Sequence, residues 1–399
     1  MSNEPSAQTL TVRAGLESDE QYGAVVPPLH LSSTFTYEGY GKPRKYDYTR
    51  TANPTRDALA EALAELEGGV GATVTSTGMA AITLVCQLVD PGDLVIAPND
   101  CYGGTFRLLT GFARRGLFRL ELIDQTDAAE LDRVLAQNPR LVWVETPTNP
   151  LLRIVDLRKL SRRLLDSDAL LAVDNTFLSP VLQRPIEFGA DLVVHSTTKY
   201  LNGHSDVVGG AVVATTAELH EQMQYWANAI GLTGAPFDSF LTLRGLRTLH
   251  ARMRLHEENA AALADLAVGH AAVRRVYYPG LHDHPGHTVA KRQQRGFGGM
   301  LSLELAGREP AARAFLEALK YFSLAESLGG VESLASHPWS MTHGVVDEDS
   351  KRTAGLCPGL IRLSAGIEAT ADLVADVEHA LDCALDAVAV APDGFSALA

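Results

Sequence analysis

The stretch "DLVVHSTTKYLNGH", residues 191–204, runs from apolar Leu192, Val193 and Val194 into the hydroxyl residues Ser196, Thr197 and Thr198 and then Lys199. An unbroken apolar run of this kind suits a parallel strand covered on both faces. Three other segments share the texture: "DLVIAP" (93–98), "RLVWVET" (140–146) and "ALLAVDNT" (169–176). Helix-like stretches such as "DLRKLSRRLL" (156–165) separate them. The alternation predicts an α/β fold, with a doubly wound, mostly parallel sheet in a large domain.

Working outward, "PTRDALAEALAELEGG" (54–69) predicts a helix with Leu59, Leu63 and Leu66 on one stripe and Gly68-Gly69 as its stop. Residues 1–55 are rich in Pro, Gly, Tyr and Thr and predict an extended arm. Residues 56–255 read as the α/β domain. Residues 256–399 read as a smaller α+β C-terminal domain, with strands "MLSLEL" (300–305) and "LIRLSAG" (360–366) and a closing helix from about 370 whose stripe includes Leu373, Val377 and Leu381. No internal repeat interrupts this plan.

Composition excludes several classes. The 399 residues carry a formal net charge of −14 with no long basic block, which argues against a nucleic-acid partner. No apolar run approaches the roughly 20 residues of a membrane span. The start "MSNEPSAQTL" lacks the apolar core of a signal peptide. Cys86, Cys101, Cys357 and Cys383 are scattered, as suits reduced thiols and a cytoplasmic location. "HDHPGH" (282–287) reads as a turn, and no metal is expected there. Trp143 reads as core, and Arg244 and Arg247 receive no role.

In open α/β sheets, ligands collect beyond the carboxyl ends of the strands. There the sequence places "NDCYGGTFR" (99–107), "PTNP" (147–150), Asp174-Asn175, and Ser196 to Lys199. Upstream, "TVTSTGMAAITLV" (73–85) opens an apolar helix with hydroxyls and a glycine, a setting in which backbone N–H groups can meet an anion. One ligand accounts for all of these together. A phosphate would sit on the 77–79 turn with Ser196 and Thr198, and a flat ring against Tyr102. A ring nitrogen would face Asp174, and an aldehyde carbon would bond to Lys199, since buried amines shift toward neutrality and serve in Schiff bases. That ligand is pyridoxal 5′-phosphate (PLP). Lys199 lacks the preceding glycines of a Walker A loop, which weakens a nucleotide reading.

The chain resembles the Cys/Met-metabolism family of fold-type-I PLP-dependent enzymes over nearly its whole length. The resemblance is carried by "YDYTRTANPTRD" (46–57), "TGMAAI" (77–82), "YGGTFR" (102–107), "ETPTNP" (145–150), "VDNTF" (173–177), "DLVVHSTTKYLNGHSDVVGG" (191–210), "PFDSFLTLRGLRTL" (236–249), "RQQRGFGGMLS" (292–302), "AESLGGVESL" (325–334) and "RLSAGIE" (362–368).

It implies that Lys199 carries the cofactor and shuttles protons, Asp174 keeps the pyridine nitrogen protonated, and Tyr102 stacks on the ring. Gly78, Met79, Ser196 and Thr198 would hold the phosphate. Tyr48 and Arg50 would reach the phosphate of a neighbouring subunit, in a homo-oligomer with shared sites, expected to be a tetramer. Arg362, with Ser327 and Asn149, would hold the substrate α-carboxylate. Glu326 would stand near the γ-carbon, and Arg107 near the substrate's acyl end.

The implied activity is replacement at the γ-carbon of an O-succinyl- or O-acetyl-L-homoserine by L-cysteine, giving L-cystathionine. The alternatives are γ-cleavage of cystathionine to cysteine, 2-oxobutanoate and ammonia, and a non-catalytic PLP-binding role. Gly104 departs from the methionine γ-lyase branch, which carries a reactive cysteine two residues after the stacking tyrosine. Ala52 replaces the first glycine of the usual Gly-Asn-Pro, and Thr51 stands where some succinyl-using enzymes carry a second arginine.

Overall fold

A computed structural model describes residues 5–344 and 346–389. Residues 1–4, at the start of the proposed arm and of the segment that lacks a signal-peptide pattern, lie outside the described residues. So do residues 390–399 of the proposed C-terminal domain.

Two sheets organise the chain. The larger contains β1 (Gly71–Thr75), β2 (Leu94–Pro98), β3 (Arg119–Ile123), β4 (Leu141–Glu145), β5 (Leu170–Asp174), β6 (Leu192–His195) and β7 (Gly210–Ala214), in the order β1-β7-β6-β5-β4-β2-β3. All neighbouring pairs are parallel except those made by β7, which runs antiparallel to both β1 and β6. This is the mostly parallel α/β sheet expected from the apolar runs. The smaller sheet orders β8 (Val273–Tyr277), β9 (Met300–Leu305), β10 (Ser323–Leu324), β11 (Leu334–Ser336) and β12 (Leu360–Ser364) as β10-β11-β12-β9-β8.

The large sheet is buried on both faces. Val142, Val144, Val173 and Val193 point into one apolar layer, together with Leu59 and Leu63 of the helix Pro54–Glu67. Trp143, Ala172, Val194 and Val212 point into the opposite layer, which also holds Ile82 and Leu84. Residues one apart thus serve different cores, which is why these strands lack polar alternation. The helix Pro54–Glu67 starts where the Asn53 side chain accepts from Thr55 N–H at 2.9 Å and stops at Gly68. A third apolar layer packs the small sheet against helices Arg308–Ala318 and Thr370–Ala389, with Phe315, Leu373 and Leu381 at its centre.

Two features differ from the sequence reading. The proposed arm opens with a helix, Ala7–Arg13, too short for periodicity to announce; Ser6 caps it. The proposed division at 255/256 falls inside the continuous helix Leu249–Ala267, which contributes to the cores of both sheets through Met253 and Leu263. No helix among the described residues is long and apolar enough to cross a membrane.

Candidate active site

The carboxyl ends of β4, β5 and β6 and the loops after β1 and β2 open onto a cavity of ≈ 390 Å³. It brings together Gly78, Met79, Tyr102, Asn149, Asp174, Ser196, Thr198, Lys199, Glu326, Ser327 and Arg362, all singled out from the sequence. The last three come from the C-terminal part of the chain. Arg107 is exposed on the helix Gly103–Arg114 and does not line this cavity. Tyr48 and Arg50 are also exposed and lie off it. The Arg50 Nη1 donates to Asn228 O at 2.8 Å and to Asn228 Oδ1 at 2.7 Å.

Each wall has a local cause. The helix Gly78–Val85 begins at Thr77, whose hydroxyl accepts from Ala80 N–H at 2.8 Å. A Cβ at Gly78 would come within 2.8 Å of Ser196 Cβ, so the absence of a side chain lets this helix start lie directly against the turn after β6. The N–H groups of a helix's first turn have no intrahelical partners and favour an anion. Ser196 N–H donates to Thr176 Oγ1 at 2.9 Å. The Thr198 hydroxyl donates to Gly209 O at 3.2 Å and accepts from Gly209 N–H at 3.0 Å, which fixes the second side of the turn.

Asp174 ends β5 and pairs in register with Glu145 at the end of β4. Both carboxyls are pushed up. Burial raises Asp174 most, opposed by Thr176, whose N–H donates to Asp174 Oδ1 at 3.0 Å. Burial, then the charge of Asp174, holds Glu145 well above the usual carboxylate range. Glu145 is deeply buried and both its oxygens lie near Tyr102 N–H, at 3.1 and 3.0 Å. Glu145 is the more buried of the two and is raised further, so it holds its proton more tightly than Asp174. Glu145 was not singled out beforehand, although a charged residue closing an apolar run is the signal that marked Asp174. Thr342 also lines the cavity, from a stretch with no periodicity to announce it.

Tyr102 sits at the start of the helix Gly103–Arg114. A Cβ at Gly104 would come within 2.5 Å of the Tyr102 ring and 2.8 Å of Met79 Sδ. This ring position therefore leaves no room for a side chain at 104.

Lys199 Nζ donates to Ser327 Oγ at 2.6 Å. Burial, reinforced by the Arg362 charge and opposed by Glu326, brings its ammonium down to about 8. Roughly a tenth of the amine is thus neutral at pH 7, far more than for a solvated lysine. Arg362 is buried on β12; its Nη1 donates to Asn149 Oδ1 at 3.0 Å and its Nη2 to Ser327 O at 2.8 Å. Its Nε has no protein partner. Burial lowers its guanidinium to about 10, so it remains a cation. Ser327 has φ 90, a conformation costly for a residue with a side chain.

Elsewhere, Cys101 is buried and its thiol is pushed well up, first by burial. In the 282–287 turn, His284 Nδ1 accepts from Gly286 N–H at 3.0 Å and His287 Nδ1 lies 2.9 Å from Pro279 O. No cluster of three or more His, Cys, Asp or Glu residues suited to a metal occurs among the described residues.

PLP fits this donor set. A helix start is set against hydroxyls for the phosphate, a cavity-facing carboxyl suits a protonated ring nitrogen, and a desolvated amine suits the aldehyde. Fold and site together define a fold-type-I PLP-dependent enzyme. The chain belongs to the family described as "Cys/Met metabolism PLP-dependent enzyme", matched over residues 8–382.

Cystathionine gamma-synthase of Escherichia coli (strain K12) is 53% identical over 372 residues, covering 93% of this chain and 96% of that protein. Cystathionine beta-lyase of Lactococcus lactis subsp. cremoris (strain MG1363) is 44% identical over 377 residues, covering 94% and 99%. The crystal structure of cystathionine gamma synthase from Xanthomonas oryzae pv. oryzae in complex with aminoacrylate and cysteine superposes with a TM-score of 0.95 at 58% identity, covering 96% of this chain and 100% of that one.

Proposed function

We propose that this chain catalyses γ-replacement on an O-acyl-L-homoserine, succinyl or acetyl, with L-cysteine to give L-cystathionine. The observation that carries the reading is the identity of 53% and 58% to two synthases over nearly the whole chain, against 44% to a lyase. The lack of room for a side chain at Gly104 supports it against the methionine γ-lyase branch.

In this reading, Arg362 receives the substrate α-carboxylate as a planar fork, held in place by Asn149 and by the Ser327 carbonyl. Gly78 and Met79 N–H groups, with Ser196 and Thr198, would hold the phosphate. Asp174 keeps the ring nitrogen protonated. Bound PLP supplies an electron sink that makes the Cα proton labile and lets the γ-substituent depart. Lys199, its ammonium brought down to about 8, would take the proton from Cα and deliver it to the C4′ carbon, and the amine so freed would take the second proton from Cβ. Tyr102 stacks on the ring, and its hydroxyl takes the proton from the incoming amine or thiol. Glu326 lines the same cavity and would stand near the γ-carbon.

The test is a product assay. With O-succinyl- or O-acetyl-homoserine plus cysteine, cystathionine should accumulate faster than cystathionine alone is consumed. Cleavage of cystathionine outpacing its formation would replace this reading with the lyase one, which the 44% identical lyase relative favours. Release of 2-oxobutanoate then marks γ-cleavage, and pyruvate marks β-cleavage.

We further propose a homo-oligomer, a tetramer built from two dimers, in which Tyr48 and Arg50 complete a neighbour's phosphate site. Both lie off their own cavity, on an arm that also exposes Tyr22, Val25 and Leu31. Lys199→Ala and Arg50→Ala chains, each inactive alone, should regain activity when mixed, because one hybrid site carries neither change. Verified hybrids without recovery would exclude sharing.

A further inference from the structure

A second cavity of ≈ 480 Å³ lies away from the one above, where the loop after β3, the segment 151–163 and the 275–289 region meet. Its lining is basic in a chain of net charge −14. It carries Arg153, Lys159, Arg163 and Arg275 against the single carboxylate Asp156. That carboxylate is already engaged: Oδ1 accepts from Lys159 N–H at 3.0 Å and Oδ2 from Arg292 at 2.5 Å. Arg163 pairs with Asp132, and Arg153 with Asp124 and Asp100. Among the described residues, the side chains of Lys159 and Arg275 form no ion pair. Arg275 instead lies 4.8 Å from the centre of the Tyr277 ring, a flat cationic shelf.

Leu131, Leu160 and Val289 give the lining an apolar part. Gln125, another lining residue, is buried, and its Nε2 donates to Trp143 O at 2.7 Å. Its Oε1 has no partner. A buried acceptor left unpaired is costly and marks a place for a donor from outside.

We propose that this cavity is a binding site for a small organic phosphate with a flat or apolar body bearing an N–H or O–H donor, and that its occupancy is felt at the active site through Arg153. The free cations take the phosphate. The apolar part of the lining and the Arg275–Tyr277 shelf take the body, and Gln125 Oε1 takes the donor.

The route to the active site is short. Arg153 Nε lies 3.7 Å from Asp100 Oδ2, which accepts from Thr148 Oγ1 at 2.7 Å. Thr148 N–H also donates to Arg153 O, and Arg153 N–H to Thr148 Oγ1, each at 3.1 Å. The next residue, Asn149, accepts from Arg362. An anion that draws Arg153 toward the cavity loosens this loop and so the carboxylate clamp.

The test uses holoenzyme and calorimetric titration with pyrophosphate, adenosine and adenosine monophosphate, while the visible absorbance of the bound cofactor is monitored. Adenosine monophosphate should bind saturably, more tightly than pyrophosphate or adenosine, without altering the cofactor spectrum. The K159Q/R275Q pair, at two exposed positions outside the catalytic cavity, should weaken it by about tenfold or more, equivalent to losing about one charge-assisted contact.

The proposal is overturned by no saturable binding of either phosphate, by adenosine binding as well as its phosphate, or by undiminished binding in the double variant. A cofactor spectrum that shifts with the same affinity would also overturn it. Saturating adenosine monophosphate should raise KM for the homoserine ester about fivefold with kcat unchanged, within the usual range of coupling between sites. An unchanged KM removes the coupling. The binding arm needs no turnover, so it fails or stands independently of the reaction proposed above.

Discussion

Replacing Lys199 with alanine is expected to abolish covalent attachment of the cofactor and to lower turnover by about 10⁴-fold, the upper end of what a positioned proton-transfer group contributes. Two facts underlie the size of the effect. Nζ is the one amine among the residues lining the cavity, and burial, reinforced by Arg362, brings it down to about 8, so it sheds its proton far more readily than a solvated lysine. The Ala variant should still bind PLP, because the phosphate bed, Asp174 and Tyr102 remain. Borohydride treatment followed by peptide mapping should label position 199 in the parent and nothing in the variant. Labelling at another lysine, or turnover within tenfold of the parent, would refute the assignment.

Replacing Asp174 with asparagine should cost about 10²–10³ in kcat, the scale of losing one preorganised charge at a reacting centre. It should also weaken PLP retention. The pH signature follows from the burial of this carboxyl. Its folded-state pKa lies above the ordinary 3.8, so between those two values the folded protein without cofactor holds more protons than the unfolded chain. Stability of the cofactor-free protein therefore falls as pH rises through that window, and Glu145 adds a fall of the same sign. The Asn variant should flatten this slope. A bound pyridinium should flatten it too, by giving the Asp174 charge a partner. Denaturant melts of the parent and variant, with and without PLP, measure both effects. An unchanged slope in the variant would show that Asp174 is not the titrating group.

Physical reasons divide what could be read in the sequence from what could not. Strands β2, β4, β5 and β6 are buried on both faces, so they read as unbroken apolar runs. The edge strand β3, "RLELI", interleaves charge with leucine, and β1 and β7 are rich in small residues, so none of these stood out. Asp174 and Lys199 were legible because polar groups that end buried strands need a reason to be there. Glu145 offers the same cue and acts through the backbone N–H of Tyr102, a contact no periodicity encodes. Thr342 reaches the cavity because Gly103 lets its segment close in; a Cβ there would come within 2.5 Å of Thr342 O. Such contacts between distant segments leave no local mark. The placement of Arg107, Tyr48 and Arg50 likewise depends on which surfaces meet.

Ser327 touches both of the groups on which the proposed chemistry turns: its hydroxyl accepts from Lys199, and its carbonyl accepts from Arg362. Held at φ 90, it has little freedom to yield on one side without moving the other. A carboxylate arriving at the guanidinium should therefore be felt at the amine through this one residue. A molecule lacking the carboxylate would leave that side of Ser327 undisturbed.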